Sequence, residues 1–251
     1  MLSEKISRVG PYKLGALIKR VGPIMVYEGY HEEVWVRRSI KVLPAIHGKP
    51  DPSIIYVSSP YLARVYEVGV EREWSYAAEE WNPWPTLREI AKTRRLTSKE
   101  GESLLHDLLH AVISLRKAGL DHRYLVPDLI LATPGGFVLE GAGVAHLLRG
   151  HESHADIVEI VKTYAEVGAS LMRPLRLVSE GRLGEALASL RSALDKRALE
   201  RLARVIVMLA DISSPEATVL RRKTLALLSR RRASLEEVEA LEEEVKRLLS
   251  M

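Results

Sequence analysis

At 251 residues the chain can build one large core or two small ones, and 47% hydrophobic with 28% charged residues is the balance of a soluble globular protein. The formal net charge is +4, and the absence of Cys excludes disulfides and thiolate metal sites. No apolar run approaches the roughly 20 residues of a membrane span and Met1 to Lys5 lack a signal-peptide pattern, so a cytoplasmic protein without membrane attachment is expected. Gln is also absent and Asn82 is the single Asn, which together with many Arg, Glu and Leu residues matches a thermophile composition.

Leu14 to Arg20, Pro23 to Tyr30 and Glu33 to Leu43 are rich in β-branched and aromatic residues, punctuated by Gly22-Pro23 and Gly29-Tyr30-His31. They predict three strands. The next stretch, Pro44 to Tyr66, carries Pro44, Pro50, Pro52 and Pro60 and no Glu, so it predicts no regular helix. Tyr61 to Val70 and Glu73 to Trp81 predict two more strands with Gly69 near their turn. Pro83 and Pro85 stiffen the connection that follows and remove backbone donors. Trp74, Trp81 and Trp84 are expected to pack around it, the common use of large aromatics.

From Ser98, a candidate cap, the period becomes helical, with Leu104, Leu105, Leu108, Leu109, Val112, Ile113 and Leu115 on one face. His106 and His110 stand four apart on this helix, but with Asp107 between them and no third ligand they predict helix-face histidines, not zinc. After Gly119 comes Asp121-His122-Arg123-Tyr124-Leu125-Val126-Pro127-Asp128-Leu129, then a hairpin turning at Gly135-Gly136, then Glu140-Gly141-Ala142-Gly143. His146, His151, Glu152, His154 and Asp156 crowd the next connection at generic spacing and predict a polar surface loop. Helices are expected from Asp156 to Met172, with Pro174 as an interruption, and over Leu183–Leu194, Ala198–Leu209 and Pro215–Leu228. Ser234-Leu235-Glu236-Glu237 is a capping box opening a last helix, whose stripe Leu235, Val238, Leu241, Val245, Leu248 would dock on its own domain or pair with a partner.

The order of these pieces, from about Tyr12 to Leu171, resembles the protein-kinase-like superfamily. The resemblance implies an α+β, bilobal fold: a small β-rich N-lobe over 1–82 without a normal regulatory helix, a mostly helical C-lobe core over 83–174 and a helical extension over 175–251. It also implies a degenerate, pseudokinase-like site. Tyr124 stands where such kinases place the catalytic Asp, and a phenol with a pKa near 10 is a poor base at neutrality. Leu129 stands at the metal-binding Asn and Gly141 at the metal-binding Asp, with Ala142 for Phe. Only Gly22 remains of the glycine-rich phosphate loop, next to Pro23, which has no N–H.

Lys41, within Ser39-Ile40-Lys41-Val42-Leu43, matches the phosphate-pairing strand lysine and is the candidate nucleotide contact; the alternative is a surface Lys ending a half-buried strand. Glu140 is the leading metal-binding candidate and Asp128 a second, although strand alternation turns Glu140 to the opposite face unless a bulge brings it round. Too few residues lie between Ala145 and Asp156 for a normal activation segment. No cofactor is expected, with ATP and Mg²⁺ as the alternative.

Basic residues cluster late: Arg221-Arg222-Lys223 and Arg230-Arg231-Arg232 beside an acidic helix with Glu236, Glu237, Glu239, Glu242, Glu243 and Glu244. They either satisfy one another or form a patch for an anionic partner such as nucleic acid. The combined expectation is an inactive scaffold or regulator that binds another protein. Its alternatives are an atypical nucleotide-dependent phosphotransferase and a nucleic-acid-binding protein.

Overall fold

The computed structural model describes residues 6–148, 153–210, 215–229 and 235–249. The chain divides into two compact units, 1–187 and 188–251.

The first unit opens with a six-stranded sheet: β1 (Arg8–Val9), β2 (Tyr12–Val21), β3 (Ile24–His31), β4 (Arg37–Pro44), β5 (Val65–Glu71) and β6 (Trp74–Glu79). All pairs are antiparallel and the order is β1-β2-β3-β4-β6-β5. Val21 faces Ile24, so β2 and β3 join through a two-residue turn in which Gly22 takes a φ of +56°. The period-2 alternation divides the side chains between two faces. Tyr12, Leu14, Met25, Tyr27, Ile40, Val42, Tyr76 and Ala78 form one cluster. Val21, Ile24, Val26, Leu43 and Ala77 form the other, with Leu129, Val144 and Leu148 from the following helical half. Lys41 and Glu79 share the alternation of this second face, toward the helical half.

No α-helix follows β4 before β5. Ala45–His47 and Pro52–Tyr56 are short 3₁₀ turns, as the prolines require. The expected third strand begins only at Arg37, because residues before it form a turn in which Trp35 has φ +51°. Gly69 is not at the β5–β6 turn but inside β5, where the Tyr76 ring lies over it and leaves no room for a Cβ; Arg72, with φ +53°, makes the turn.

Then come α1 (Leu87–Ala91), α2 (Ser98–Lys117), the hairpin β7 (Ile130–Thr133) and β8 (Gly136–Leu139), α3 (Ala142–Ala145), α4 (Ser153–Tyr164) and α5 (Ala169–Ser179). The cap of α2 is Thr97 rather than Ser98: its hydroxyl accepts from Glu100 N–H while Glu100 reaches back, a complete capping box. Leu104, Leu105, Leu108, Leu109, Val112 and Leu115 are buried along α2. Asp107 fastens the hairpin to this helix, accepting from Phe137 N–H at 2.8 Å and from Ser103 at 3.3 Å. The hairpin turns at Pro134-Gly135, one residue earlier than expected, since Gly136 already pairs with Thr133. His106 and His110 pack against Tyr61, His110 stacked on its ring at 4.9 Å.

The interruption expected at Pro174 falls earlier. Leu96 bonds to Tyr164 and Glu166, pulling residues 165–168 out of the helix, and Pro174 lies within α5. Asp195-Lys196 does not break its helix either: neither residue is Gly or Pro, and α6 runs from Leu183 to Ala210. In the second unit α6 from Ala188 onward, α7 (Pro215–Ser229) and α8 (Leu235–Leu249) share a core of Leu202, Val205, Leu209, Leu220, Leu227, Val238, Leu241 and Val245, so Val238, Leu241 and Val245 of the α8 stripe dock on their own unit. Ser234 of the expected capping box lies outside the described residues.

Candidate functional site

The functional geometry gathers where the second sheet face meets β8 and α3. Lys41 in the middle of β4 is wholly buried, which corrects the surface-lysine alternative. A buried ammonium needs three acceptors and a counter-charge. Its Nζ lies 2.9 Å from Glu79 Oε2, 2.8 Å from Glu140 Oε2 and 2.9 Å from Ser39 Oγ, so its three donors are matched. The register of β4 on β6 provides this: Ser39 pairs with Glu79 and Lys41 with Ala77, leaving Glu79 one alternation step from Lys41 on the same face.

Glu140 does not turn away, as strand alternation predicts. It follows the last residue of β8, and its carboxylate enters the cleft, where Oε1 accepts from Lys19 Nζ at 2.5 Å. Lys19 also donates to the Asp128 carbonyl at 2.7 Å. Glu79 is held from its other side by α3, with Oε2 accepting from Gly141 N–H at 2.8 Å and Oε1 from Gly143 N–H at 3.1 Å. Gly141 needs its φ of +88°, and a Cβ on Gly143 would fall 2.4 Å from that of Ala77, so only this glycine lets the helix end approach the sheet. Burial pulls the Lys41 ammonium down, but Glu140 and Glu79 outweigh it and hold its pKa above the ordinary value. Burial pushes the Glu140 carboxyl up, and Lys41 and Lys19 more than reverse this. Lys41 and Glu140 therefore face each other as ammonium and carboxylate.

The residues from His122 to Leu129 are arranged around this network. His122 is buried and its Nε2 lies 3.1 Å from the Glu140 carbonyl oxygen, so Nε2 carries the hydrogen; burial pushes its pKa down to about 4. Arg123 is exposed. Tyr124 packs into the sheet-facing cluster, and a Cβ on Gly22 would lie 2.2 Å from its hydroxyl oxygen, so the phenol is seated against the β2–β3 turn. Leu129 is buried in the same cluster. The Asp128 carboxylate faces Arg88, Oδ2 to Nε 2.6 Å, and only its carbonyl faces Lys19.

A magnesium nucleotide does not fit these residues. Both Glu140 oxygens are occupied by ammonium groups, the Asp128 carboxylate is paired with Arg88, and the two-residue turn at Gly22-Pro23 has no span of amides to wrap phosphates. Among the described residues no three His, Asp or Glu side chains converge to hold a metal ion. What remains open is a cleft of about 550 Å³ beside the connection between the halves, bounded by Ile18, Val26, Leu131, Trp81 and Trp84. Arg37 lies 3.6 Å over the Trp81 ring, as the packing expectation has it, whereas Trp84 is 42% exposed.

Of the crowded histidine connection, His146 links Asp51 N–H (3.1 Å) to the Ala142 carbonyl (3.2 Å); His151 and Glu152 lie outside the described residues. In the second unit, Arg221 bonds the Leu209 carbonyl at 2.6 and 2.8 Å, capping α6, and Lys223 pairs with Glu244 at 2.6 Å. Arg222 is exposed, and Arg230, Arg231 and Arg232 lie outside the described residues.

Lys19 and Glu79 are the site residues that sequence reasoning missed. The signal for Glu79 was present: with no Glu between Pro44 and Tyr66, a buried lysine has to find its carboxylate on a neighbouring strand. Lys19 carried no signal, because bulges between Leu14 and Lys19 break the alternation of β2.

No protein-family model and no curated protein matches the sequence. Solved structures do. The Mycobacterium tuberculosis PknI kinase domain aligns over 73% of this chain and 91% of its own, with a TM-score of 0.52 and 17% identity. A mutant of the same domain gives 0.53 and 16% over 73% and 90%. Rad53 1-466 in complex with AMP-PNP aligns over 91% of this chain and 64% of its own, with 0.52 and 12%. Together with the sheet, the paired strand lysine and the helical half, these matches give the chain a protein-kinase-like fold.

Proposed function

We propose that this chain is a catalytically inactive member of the kinase-like fold that acts as a scaffold or regulator by binding another protein. One observation carries the reading: the strand lysine is neutralised within the protein by Glu79 and Glu140, and a second lysine occupies the remaining oxygen of Glu140. A phosphate would have to displace those carboxylates from an ammonium that already has three acceptors, and would leave Glu79 buried without a counter-charge. Tyr124 in the place of the base supports the same reading. The phosphotransferase alternative needs Glu140 or Asp128 to bind a metal, yet both are held by cations. The nucleic-acid alternative loses support where Arg221 and Lys223 are used within the bundle. A cytoplasmic, heat-stable setting is proposed on composition alone.

The test is calorimetric titration of ATP into the full chain, with Mg²⁺, with Mn²⁺ and with neither, alongside thermal shift. The expected result is no heat and no shift in any condition. Metal-dependent binding at micromolar concentration would overturn the reading and move phosphoryl transfer ahead.

A further inference from the structure

The connection from β4 to β5 is held to the rest of its unit by a device that the cleft does not use. Its start is fixed by Ser75, which donates to the Gly48 carbonyl at 2.6 Å, and its end by Ala63 N–H on the Leu139 carbonyl at 2.9 Å. Between them the 3₁₀ turn Pro52–Tyr56 lies against β5 and α3 and buries Ile54. Asp51 caps the turn, its Oδ1 accepting from Ser53 N–H at 2.8 Å. Among the described residues, every hydrogen bond from Lys49 to Pro60 but one stays within the connection. The exception runs from Asp51 N–H to Nε2 of His146, at the C-terminal end of α3.

Both nitrogens of that ring are in use. Nδ1 lies 3.2 Å from the Ala142 carbonyl, which can only accept, so Nδ1 carries the hydrogen and Nε2 offers its lone pair to the Asp51 amide. A further proton has one place to go, Nε2, and there it meets another donor. The bond to Ala142 survives protonation and the bond to Asp51 does not. The Asp51 carboxylate draws a proton toward His146, while Arg123 opposes it and His122 stands close enough to be repelled. That carboxylate is already the cap of the turn, so an ion pair with the imidazolium pulls it from Ser53. A lost bond and a lost cap both loosen the turn. Burial joins Arg123 against the charged ring and holds its pKa below the ordinary 6.5.

We propose that His146 is a proton-sensitive pin: mild acid protonates Nε2, breaks the bond to Asp51, frees the Pro52–Tyr56 turn from α3 and uncovers Ile54. The turn already exposes Tyr56, so release adds a second large side chain to the same surface. An opened turn returns His146 to its ordinary 6.5, so the open form binds more protons than the closed one. Opening therefore gains as the pH falls below that value, by up to about tenfold per pH unit. This inference goes beyond the cleft reading and does not depend on whether a nucleotide binds.

Two measurements on the full chain test the proposal. Long-range proton–nitrogen NMR of the imidazoles near neutral pH reads the tautomer of the native chain. His146 is in the Nδ1–H form, and finding the Nε2–H form would overturn the proposal without any variant. Amide hydrogen exchange over 49–60, followed from about pH 7.5 to about pH 5.5 with times scaled to the intrinsic rate, then reads the opening. Protection falls with pH in the native chain, by up to about tenfold per unit. In His146→Gln, whose amide oxygen accepts from Asp51 without titrating, protection stays level; in His146→Ala it is low throughout. Protection in the native chain that ignores pH, or a fall that persists in His146→Gln and so belongs to another group such as His122, would overturn it.

Discussion

Lys41 and Lys223 are both lysines bonded to glutamate, in the kinase-like unit and in the C-terminal bundle respectively. Lys41 and its partners Glu79 and Glu140 are 0%, 0% and 5% exposed, whereas Lys223 and Glu244 are 52% and 42% exposed. Water and salt screen the second pair, and its net worth is on the order of 0–1 kcal/mol. The first group has left water altogether, so its members depend on one another: attraction roughly balances desolvation while the set is whole, and removing one member strands the rest. The same chemistry is thus a clasp in one place and surface dressing in the other.

The largest expected effect is Lys41→Met, which leaves Glu79 buried without a counter-charge and Glu140 with Lys19 alone, and should cost about 3–5 kcal/mol in urea denaturation. Adding Glu79→Gln to Lys41→Met should recover part of that loss. A single-variant cost under about 1 kcal/mol would erase the contrast.

Acid titration sharpens it next. Glu140 lies below its ordinary 4.5 and Lys41 above its ordinary 10.5. The network's contribution is therefore complete between those values. It is lost below as Glu140 protonates and above as Lys41 deprotonates. His122 acts earlier on the way down. Unfolded it takes a proton near 6.5 but folded only near 4, so the unfolded chain binds more protons between those values and stability drops as the pH is lowered through them. The loss is roughly 3 kcal/mol by pH 4, with His146, also lowered by burial, adding in the same direction. His122→Leu should flatten most of this slope in chemical denaturation measured at successive pH values.

The smallest effects belong to the bundle. Lys223→Ala should change stability by less than about 0.5 kcal/mol. Arg201→Ala, which loses a two-pronged pair with Glu242 and a bond to Glu239, should cost up to about 1 kcal/mol, less at high salt. A loss as large as that of Lys41→Met would show that exposure does not separate the two regions.

The five longer strands of the sheet, the missing helix after β4 and the leucine face of α2 were legible because each rests on local pattern: β-branched runs, proline density and a 3.6-residue period. Lys41 was legible as a position but not as an environment, since its burial depends on the register that sets Ser39 opposite Glu79. Glu140 was misdirected because alternation ends with β8, and the backbone beyond it follows the approach of Gly141 and Gly143 to Glu79. Pro174 misled for a similar reason. The strand-like contact of Leu96 with Tyr164 and Glu166 joins segments far apart in sequence, and it ended the helix first.

The grip of Glu79 on Gly141 and Gly143 has a mechanical meaning. Together with Lys19 and Lys41 on Glu140, and Lys19 on the Asp128 carbonyl, it stitches β2, β4 and β6 to the segment carrying β8 and α3. A hinge in such a place opens by swinging one half about the connection at Trp81 to Pro85, and every stitch would have to part together. The halves are latched: while these contacts hold, the cleft between them keeps one shape and has no free hinge to open it.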